Sequence, residues 1–241
     1  MTIDSYWYTN IGSKAENEDS CKCFCPGPEQ CCAVVCDGLG GHSGGSAASA
    51  IGVRALAQWP QDMDLPTDST IISWMNQANQ EILDARANAN QMKTTAAALY
   101  ISKNRAIWGH IGDTRLYHFY NGTLADVTED HSIAQLALKI GELDSRAGIP
   151  EYPGRSKLFR VIGDDEIKPE IHPAVTLAPG FHAFLLCSDG LWERLHEDEI
   201  MLDLHKAVTP EEWVFLLRSR AVMRKSDDVD NNTAIAIWLK E

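Results

Sequence analysis

The chain has 241 residues, and 44% of them are hydrophobic, which is enough to bury a core in a globular protein. Its 34 acidic residues outnumber its 21 basic ones, so the formal net charge is -13. A surface of this sign repels nucleic acids, anionic membranes and phosphoproteins, so any site for a phosphate group must carry its own local positive charge.

The chain shows neither a membrane anchor nor an interdomain linker. No segment approaches the roughly 18 apolar residues that cross a bilayer. The N-terminus, MTIDSYWYTN, lacks the basic region and apolar core of a signal peptide. No Pro-, Ser- or Gly-rich stretch divides the sequence. We therefore expect a single cytoplasmic domain over residues 1–241, monomeric and without a nucleic-acid or membrane partner.

The apolar pattern alternates between blocks of strands and blocks of helices. In chain order it predicts a strand at 31–36, helices at 45–58 and 70–86, strands at 94–102, 105–111 and 114–120, a helix at 131–140, a strand at 183–188, a helix from 209 to about 224 and a strand at 233–239. The pair Asn121-Gly122 predicts a hairpin because both residues tolerate positive φ. Residues 141–170, rich in Gly and Pro, predict a long loop.

The order of these elements indicates the fold class. Consecutive strands joined by tight turns imply antiparallel pairing. Helices that come in pairs, rather than after every strand, argue against a doubly wound parallel sheet. The pattern therefore favours an α+β fold built from layered sheets and helices.

Four aspartates lie beside predicted strands, where a side chain can leave the core: Asp19, Asp37, Asp189 and Asp230. Carboxylates that converge on one cleft repel one another unless cations lie between them. Mg²⁺ and Mn²⁺ prefer such oxygen ligands, and Gly38 would let its own carbonyl approach a metal. An Asp-Gly pair after a strand is more often a simple turn. These residues alone leave a metal site and ordinary turns both open.

The glycines at 38–45 raise a further alternative, a loop that cradles phosphate. The segment lacks the GxGxxG and GxxxxGK[ST] spacings of such loops.

A different pattern emerges from six motifs taken in order. They are NEDS (17–20), CDGLGGHSGG (36–45), KTTAAALYI (93–101), GHIGDTRLY (109–117), LCSDGLWE (186–193) and DNNTAIAI (230–237). Together they cover essentially the whole chain, and their order resembles that of the protein phosphatase 2C family, most closely its bacterial branch.

The resemblance implies a four-layer αββα sandwich, in which two antiparallel sheets are flanked by pairs of helices. It also implies two bridged Mn²⁺ or Mg²⁺ ions and a weaker third. By motif position the metal ligands would be Asp19, Asp37, Asp189, Asp230, the carbonyl of Gly38, Glu18 through a water molecule, and Asp113 with Asp189 for the third ion. The irregular stretch near 141–165 would be the family's variable flap beside the cleft.

The reaction implied is hydrolysis of phosphoserine and phosphothreonine in proteins. Two metals lower the pKa of a bridging water, and the resulting hydroxide attacks phosphorus in line. Asp37 and Asp189 would be central to this chemistry. No phosphoenzyme is required, and the chain indeed has no CxxxxxR nucleophile loop. The partner implied is a phosphorylated protein in bacterial signalling, such as the substrate of a cognate Ser/Thr kinase.

The chain departs from the family pattern at two positions that bear on the chemistry, Lys14 and Leu39. Lys14 stands where the family usually has a phosphate-binding Arg, and an ammonium is a point charge rather than a bidentate fork. Its alternative role is that of a solvated surface residue. Leu39 replaces the His that animal members carry as a proposed general acid, so no general acid is identified. His42 belongs to the bacterial motif, and packing or a backbone hydrogen bond is its simplest role.

Six of the seven cysteines fall between Cys21 and Cys36. Cys21, Cys23 and Cys25 alternate, which places them on one face of a strand. A zinc site is one interpretation, but the CxxC spacing is missing. Buried, reduced thiols are the simpler prediction.

Two other functions remain open at this level. A pseudophosphatase would keep the fold and bind phosphoproteins without turnover, and Lys14 is the one feature in its favour. A metallophosphatase acting on small molecules is the other. All the acids at the expected metal positions are present, which favours an enzyme over a pseudophosphatase.

Overall fold

The computed structural model describes residues 2–40, 44–86, 92–224 and 228–240. The strands are β1 (Thr2–Asn10), β2 (Asp19–Phe24), β3 (Gln30–Leu39), β4 (Lys93–Thr94), β5 (Ala96–Ser102), β6 (Arg105–Ile111), β7 (Arg115–Tyr120), β8 (Thr123–Val127), β9 (Glu170–Thr176), β10 (His182–Cys187) and β11 (Asn232–Lys240). The helices are α1 (Gly44–Leu56), α2 (Asp68–Ala85), α3 (Ile133–Lys139), α4 (Asp189–Trp192), α5 (Glu197–Lys206) and α6 (Pro210–Met223).

The strands form two antiparallel sheets. The first has the order β1-β11-β10-β7-β8, and the second has the order β2-β3-β5-β6-β9 with β4 paired to β3. The chain therefore leaves one sheet and enters the other several times. β1 pairs with β11 over nine residues, so the two ends of the described chain lie side by side in the first sheet.

Three hydrophobic cores separate the layers. Side chains from the inner faces of both sheets, such as Val35, Leu99, Phe184 and Ile235, form the central core. The second core joins the outer face of the second sheet to α1 and α2. The third joins the outer face of the first sheet to α5 and α6. The predicted α+β, four-layer αββα sandwich is confirmed.

Local sequence signals explain several element boundaries. Asn121 and Gly122 have φ values of 48° and 82° and join β7 to β8 as the predicted hairpin. The Thr209 side chain accepts a hydrogen bond from the backbone N–H of Glu212 and caps α6. Gly141, with φ 81°, follows the end of α3. Each of these positions carries a residue whose chemistry suits it.

The structure also corrects the expectations from sequence. β6 and β7 are consecutive but do not pair, because the turn at 112–114 carries the chain from the second sheet to the first. The predicted loop at 141–170 includes a 3₁₀ helix, Arg146–Glu151. β1, β9 and α5 were not among the predicted elements. β9 lies at a sheet edge and none of its residues is fully buried, so it has no apolar run to mark it.

Candidate metal centre

Asp19 and Asp37 face each other across the second sheet. Asp19 is the first residue of β2, and the register of the β2–β3 pair places it directly opposite Asp37. The strand does not end at Asp37, as the sequence suggested, but continues through Gly38 and Leu39, which pair with β4. Opposed residues in an antiparallel pair lie about 5 Å apart at their β-carbons, so their carboxyl groups share one small space.

Asp189 and Asp230 come from the first sheet. Asp189 opens α4 directly after β10, and Asp230 precedes β11, the neighbour of β10. Ser188 joins this edge to the second sheet. Its hydroxyl donates to Asp19 Oδ2 at 2.7 Å and accepts from the backbone N–H of Thr233 at 3.0 Å. The ends of the two sheets are thus held together at the acidic cluster.

Asp113 lies in the turn between β6 and β7 and is 6% exposed. Its backbone is held from both sides. The Trp192 indole N–H donates to the Asp113 carbonyl at 2.9 Å, and the backbone N–H of Gly112 donates to His131 Nδ1 at 3.0 Å. Gly112 has φ 97°, a conformation that a residue with a β-carbon rarely adopts. This turn therefore presents the Asp113 carboxyl rigidly to the other acids.

Below this turn, Arg115 forms a buried bidentate ion pair with Asp130, at 2.8 and 2.7 Å. The guanidinium also stacks on the Trp192 ring, 3.4 Å from its centre. Because Trp192 in turn bonds Asp113, the pair supports the acidic turn indirectly. Arg115 Nη1 also donates to the Tyr117 hydroxyl at 3.1 Å, and a buried ion pair with such hydrogen bonds favours one conformation of the groups around it.

Asp19 and Asp113 are buried, Asp37 and Asp189 are half-buried, and all four are close enough to disturb one another. Burial, and then the charges of its acidic neighbours Asp19, Asp189 and Asp113, hold the pKa of Asp37 well above its usual range. Burial likewise raises the pKa of Asp189 to about 7 and that of Asp19 to about 6. Without a cation, this cluster must keep protons.

The donor set fits divalent metal ions. Asp19 Oδ1 is buried and accepts no hydrogen bond from the residues that the structure describes. Within the same ranges, no ion pair joins a Lys or Arg to Asp19, Asp37 or Asp189. A buried carboxylate oxygen normally has a partner, and hard oxygen donors in this number suit Mg²⁺ or Mn²⁺.

Two glycines keep the backbone open beside these acids. A β-carbon at Gly38 would collide with the Gly45 carbonyl oxygen, and one at Gly45 would collide with the Glu18 carboxylate. The first turn of α1 therefore packs directly on the Gly38 backbone and on Glu18. The expected ligands Glu18 and Gly38 are thus adjacent to Asp19 and Asp37 in space as well as in sequence.

Lys14 lies at the rim of the cluster and is partly exposed. Its Nζ is 3.0 Å from Asp228 and 3.7 Å from Asp230. A hydrogen bond to Asp228 is the main reason that its pKa is raised. The ammonium is therefore charged and next to one predicted metal ligand. It is not a solvated residue far from the site.

Sequence reasoning missed several polar residues that position the acids. The Asn231 side chain accepts from the Glu18 N–H at 2.8 Å and donates to the Ile11 and Glu16 carbonyls at 2.7 and 3.1 Å. Thr95 exchanges hydrogen bonds with the Asp37 backbone, at 2.8 and 3.2 Å. Both residues belong to the six motifs, and Asn231 adjoins Asp230, but the motif of Thr95 contains no aspartate that could have marked it.

A second cluster of potential ligands, His110, His131 and Glu170, has its ligand atoms within 4.8 Å of one another. Burial lowers the pKa of His131 to about 3, so its ring is neutral. Because Nδ1 accepts the Gly112 N–H, the ring proton is on Nε2, which faces Glu170 and the Arg160 guanidinium. A metal at Nε2 would require that proton to leave. We therefore assign this cluster to hydrogen bonding.

His42 lies outside the described residues. The six clustered cysteines are all free thiols, with Cys31, Cys32 and Cys36 buried on β3.

Comparison with known proteins identifies the family. The model of the family described as protein phosphatase 2C matches residues 8–213. The serine/threonine phosphatase stp of Listeria welshimeri is 31% identical over 215 residues, which are 85% of this chain and 84% of that protein.

Two solved structures share the fold. The crystal structure of the Mycobacterium tuberculosis serine/threonine phosphatase PstP/Ppp covers 100% of both chains, with 25% identity and a TM-score of 0.85. The catalytic domain of PstP in complex with two manganese ions has 24% identity and a TM-score of 0.78, and covers 98% of this chain and 97% of that one. On the family match and the listerial relative, this chain belongs to the protein phosphatase 2C family.

Proposed function

We propose that the chain hydrolyses phosphoserine and phosphothreonine in proteins, using two divalent ions held between the ends of the sheets. The observation that carries the proposal is the convergence of Asp19, Asp37 and Asp189 in one small space, with no Lys or Arg ion pair to any of them among the described residues. Such a cluster is costly unless metal ions fill it, and family membership gives the chemistry.

The residues divide into three roles. Asp19, Asp37, Asp189, Asp230 and the Gly38 carbonyl would hold the two tight ions, and Glu18 would bind through a water molecule. Asp113 would hold a weaker third ion together with Asp189, whose charge contributes to the raised pKa of Asp113. When bound, Mn²⁺ or Mg²⁺ would activate the attacking water and offset charge on the phosphoryl oxygens.

Lys14 would bind the phosphate of the substrate. The protein's net charge of -13 makes a local cation necessary, and Lys14 is a cation at the rim of the acidic cluster. Its present partner Asp228 is exposed, so exchange of that partner for a phosphoryl oxygen costs little.

Residues 141–165 would form a flap beside the cleft. Arg155, in this segment, donates to Glu193 at 2.6 Å and interacts with the charge of Asp189. The segment therefore reaches the acidic cluster from the outside.

We further propose that residues 1–241 act as one cytoplasmic, monomeric domain whose substrates are products of a cognate Ser/Thr kinase, without nucleic-acid or membrane partners. No helix in the described ranges is long and apolar enough to span a bilayer.

The pseudophosphatase alternative is not favoured, because every acid expected to hold metal is present and most of them converge. A small-molecule phosphatase would use the same acids, so substrate comparison is needed to separate it from a protein phosphatase.

The deciding experiment measures phosphate release from a phosphothreonine peptide and from a small aryl phosphate, with Mn²⁺ and then with excess chelator. We expect metal-dependent turnover with the higher kcat/KM on the peptide. Turnover that survives chelation would exclude the metal mechanism. Binding of the peptide without turnover would identify a pseudophosphatase, and a preference for the small ester would exclude the protein substrate.

A further inference from the structure

Three thiols meet at the end of the β2–β3 hairpin that is remote from the acids. Cys31 is buried at the start of β3, Cys23 is half-buried on β2, and Cys25 is exposed just beyond β2. The sulfur atoms of Cys23 and Cys31 are 4.0 Å apart. Cys25 lies one residue beyond the end of β2 and two positions after Cys23, so it belongs to the same group of thiols.

The strand register decides which pair could form a disulfide. The β2–β3 pairing ends with Phe24 opposite Cys32, so its continuation places Cys25 opposite Cys31. Directly opposed β-carbons lie about 4.5–5.5 Å apart, close to the roughly 3.5–4.5 Å of a disulfide. Cys23 and Cys31 are diagonal neighbours, for which the separation is about 7–8 Å. Cys25 and Cys31 are therefore the better-placed pair.

The two thiols also differ in acidity and access. A hydrogen bond from the Cys31 thiol lowers the pKa of Cys25 to about 7. Hydrogen bonds to Cys23 and Cys25, together with burial, raise the pKa of Cys31 well above its usual range. In redox-active thiol pairs, an exposed thiolate is the sulfur that is oxidised first. A neighbouring thiol, the resolving thiol, then forms a disulfide with it.

We propose that Cys25 and Cys31 form a dithiol that hydroperoxides oxidise to a disulfide. The Cys25 thiolate attacks the peroxide, breaking its O–O bond, and becomes a sulfenic acid as the peroxide is reduced to an alcohol or to water. The Cys31 sulfur then attacks the sulfenic sulfur. An S–S bond forms, and hydroxide leaves with the Cys31 proton as water. The dithiol loses two electrons, and the peroxide gains them.

This modification site is separate from the metal centre. Asp37 lies six positions after Cys31 on β3, about 20 Å along the strand. The inference is independent of the proposed phosphatase activity, since it requires only the hairpin and its thiols. Replacement of Cys25 should therefore leave turnover unchanged.

The test uses the full-length, Mn²⁺-loaded protein, reduced and then exposed to about one equivalent of hydrogen peroxide. Free thiols are blocked, and the protein is cut after Lys22, Glu29 and Arg54 by trypsin and a glutamate-specific protease. A disulfide from Cys25 to Cys31 joins the peptides 23–29 and 30–54, which are otherwise separate.

We expect the joined peptides in the wild type, in Cys23→Ala and in Cys32→Ala, but not in Cys25→Ser or Cys31→Ala. Alkylation of Cys25 at pH 7 should run about threefold faster in the folded than in the unfolded protein, since its greater ionisation outweighs the lower nucleophilicity of a more acidic thiol. Joined peptides that persist in Cys25→Ser would overturn the assignment. So would a wild type that accumulates Cys25 sulfinic acid without a link.

Discussion

The β2–β3 hairpin has a polar cluster at each end, and the two clusters differ in the charge that their side chains carry. At one end, Asp19 and Asp37 face each other beside Asp189. At the other end, the sulfur atoms of Cys23 and Cys31 are 4.0 Å apart, and Cys25 follows on the same strand end. Both clusters lie on the same strands at the edge of the same central core. Their surroundings are therefore similar, and their chemistry is not.

The difference lies in charge. A buried thiol stays neutral at ordinary pH and packs as a small hydrophobic group, so the cysteine end is stable as it stands. A buried carboxyl must either bind a proton or find a cation, so the acidic end is complete only with one of these. The comparison predicts that divalent metal matters greatly at one end of the hairpin and not at all at the other.

The largest expected effect follows from Asp37→Asn. This change removes a charge that both tight ions would use, so kcat/KM on a phosphothreonine peptide should fall by at least about 100-fold. Asp62→Asn, at an exposed position, is the matched control and should retain full activity. Retained activity in Asp37→Asn would show that Asp37 is not a ligand.

The same variant should be more stable than the wild type when metal is absent. Asn cannot repel Asp19, Asp113 and Asp189, so the metal-free protein should gain about 2–4 °C in Tm for each kcal/mol of repulsion removed. Added Mn²⁺ should raise Tm in the wild type and much less in the variant. Equal Tm values in chelator would mean that the acids are not strained without metal.

A smaller loss is expected at Lys14. A charge-assisted contact with phosphate is worth about 1.5–3 kcal/mol, so Lys14→Ala should lower kcat/KM by roughly ten- to a hundredfold. Lys14→Arg should retain or raise activity, because a guanidinium offers two donors to the phosphate. Lys22→Ala removes an exposed lysine on the same hairpin and should have no effect. An Ala variant at position 14 with unchanged kinetics would leave Lys14 only its ion pair with Asp228.

Asp113→Ala should slow turnover by about tenfold, the equivalent of one lost charge contact near 1.4 kcal/mol, and leave the two tight ions bound. The fold should persist because Arg115 keeps its bidentate partner Asp130. Calorimetric titration with Mn²⁺ separates the outcomes, since loss of both tight sites would place Asp113 among their ligands.

The sequence revealed most of this arrangement, because strands with apolar runs and aspartates beside them are local signals. The strand at 31–36, the helix at 70–86 and the closing strand at 233–239 each appear within a few residues of their predicted bounds. The sequence pattern did not predict β1, α5 and β9, because each of them exposes much of its surface. β9 also contains Pro173, and proline is uncommon within strands.

The long-range contacts of individual supporting side chains could not be predicted from local signals. The turn at 112–114 resembles a hairpin turn in sequence, yet it moves the chain between sheets. The roles of Ser188 and Asn231 depend on strands from opposite ends of the chain meeting at one edge. Nothing near those residues in the sequence reports which distant segment they will contact.

The smallest expected effect concerns the thiol end of the hairpin. We predict that the cluster is reduced and metal-free in protein purified under a reductant. Cys31 is buried and protonated, Cys25 is exposed to solvent, and neither needs a cation; the spacing also lacks the CxxC pattern of zinc sites. Cys25→Ser should accordingly leave kcat/KM, Mn²⁺ affinity and Tm unchanged. Elemental analysis provides the decisive measurement. One outcome is that zinc remains equimolar with the wild-type protein after the active-site ions have been chelated, yet is lost in Cys25→Ser. That result would show that both ends of the hairpin are metal sites, and it would contradict the contrast between them.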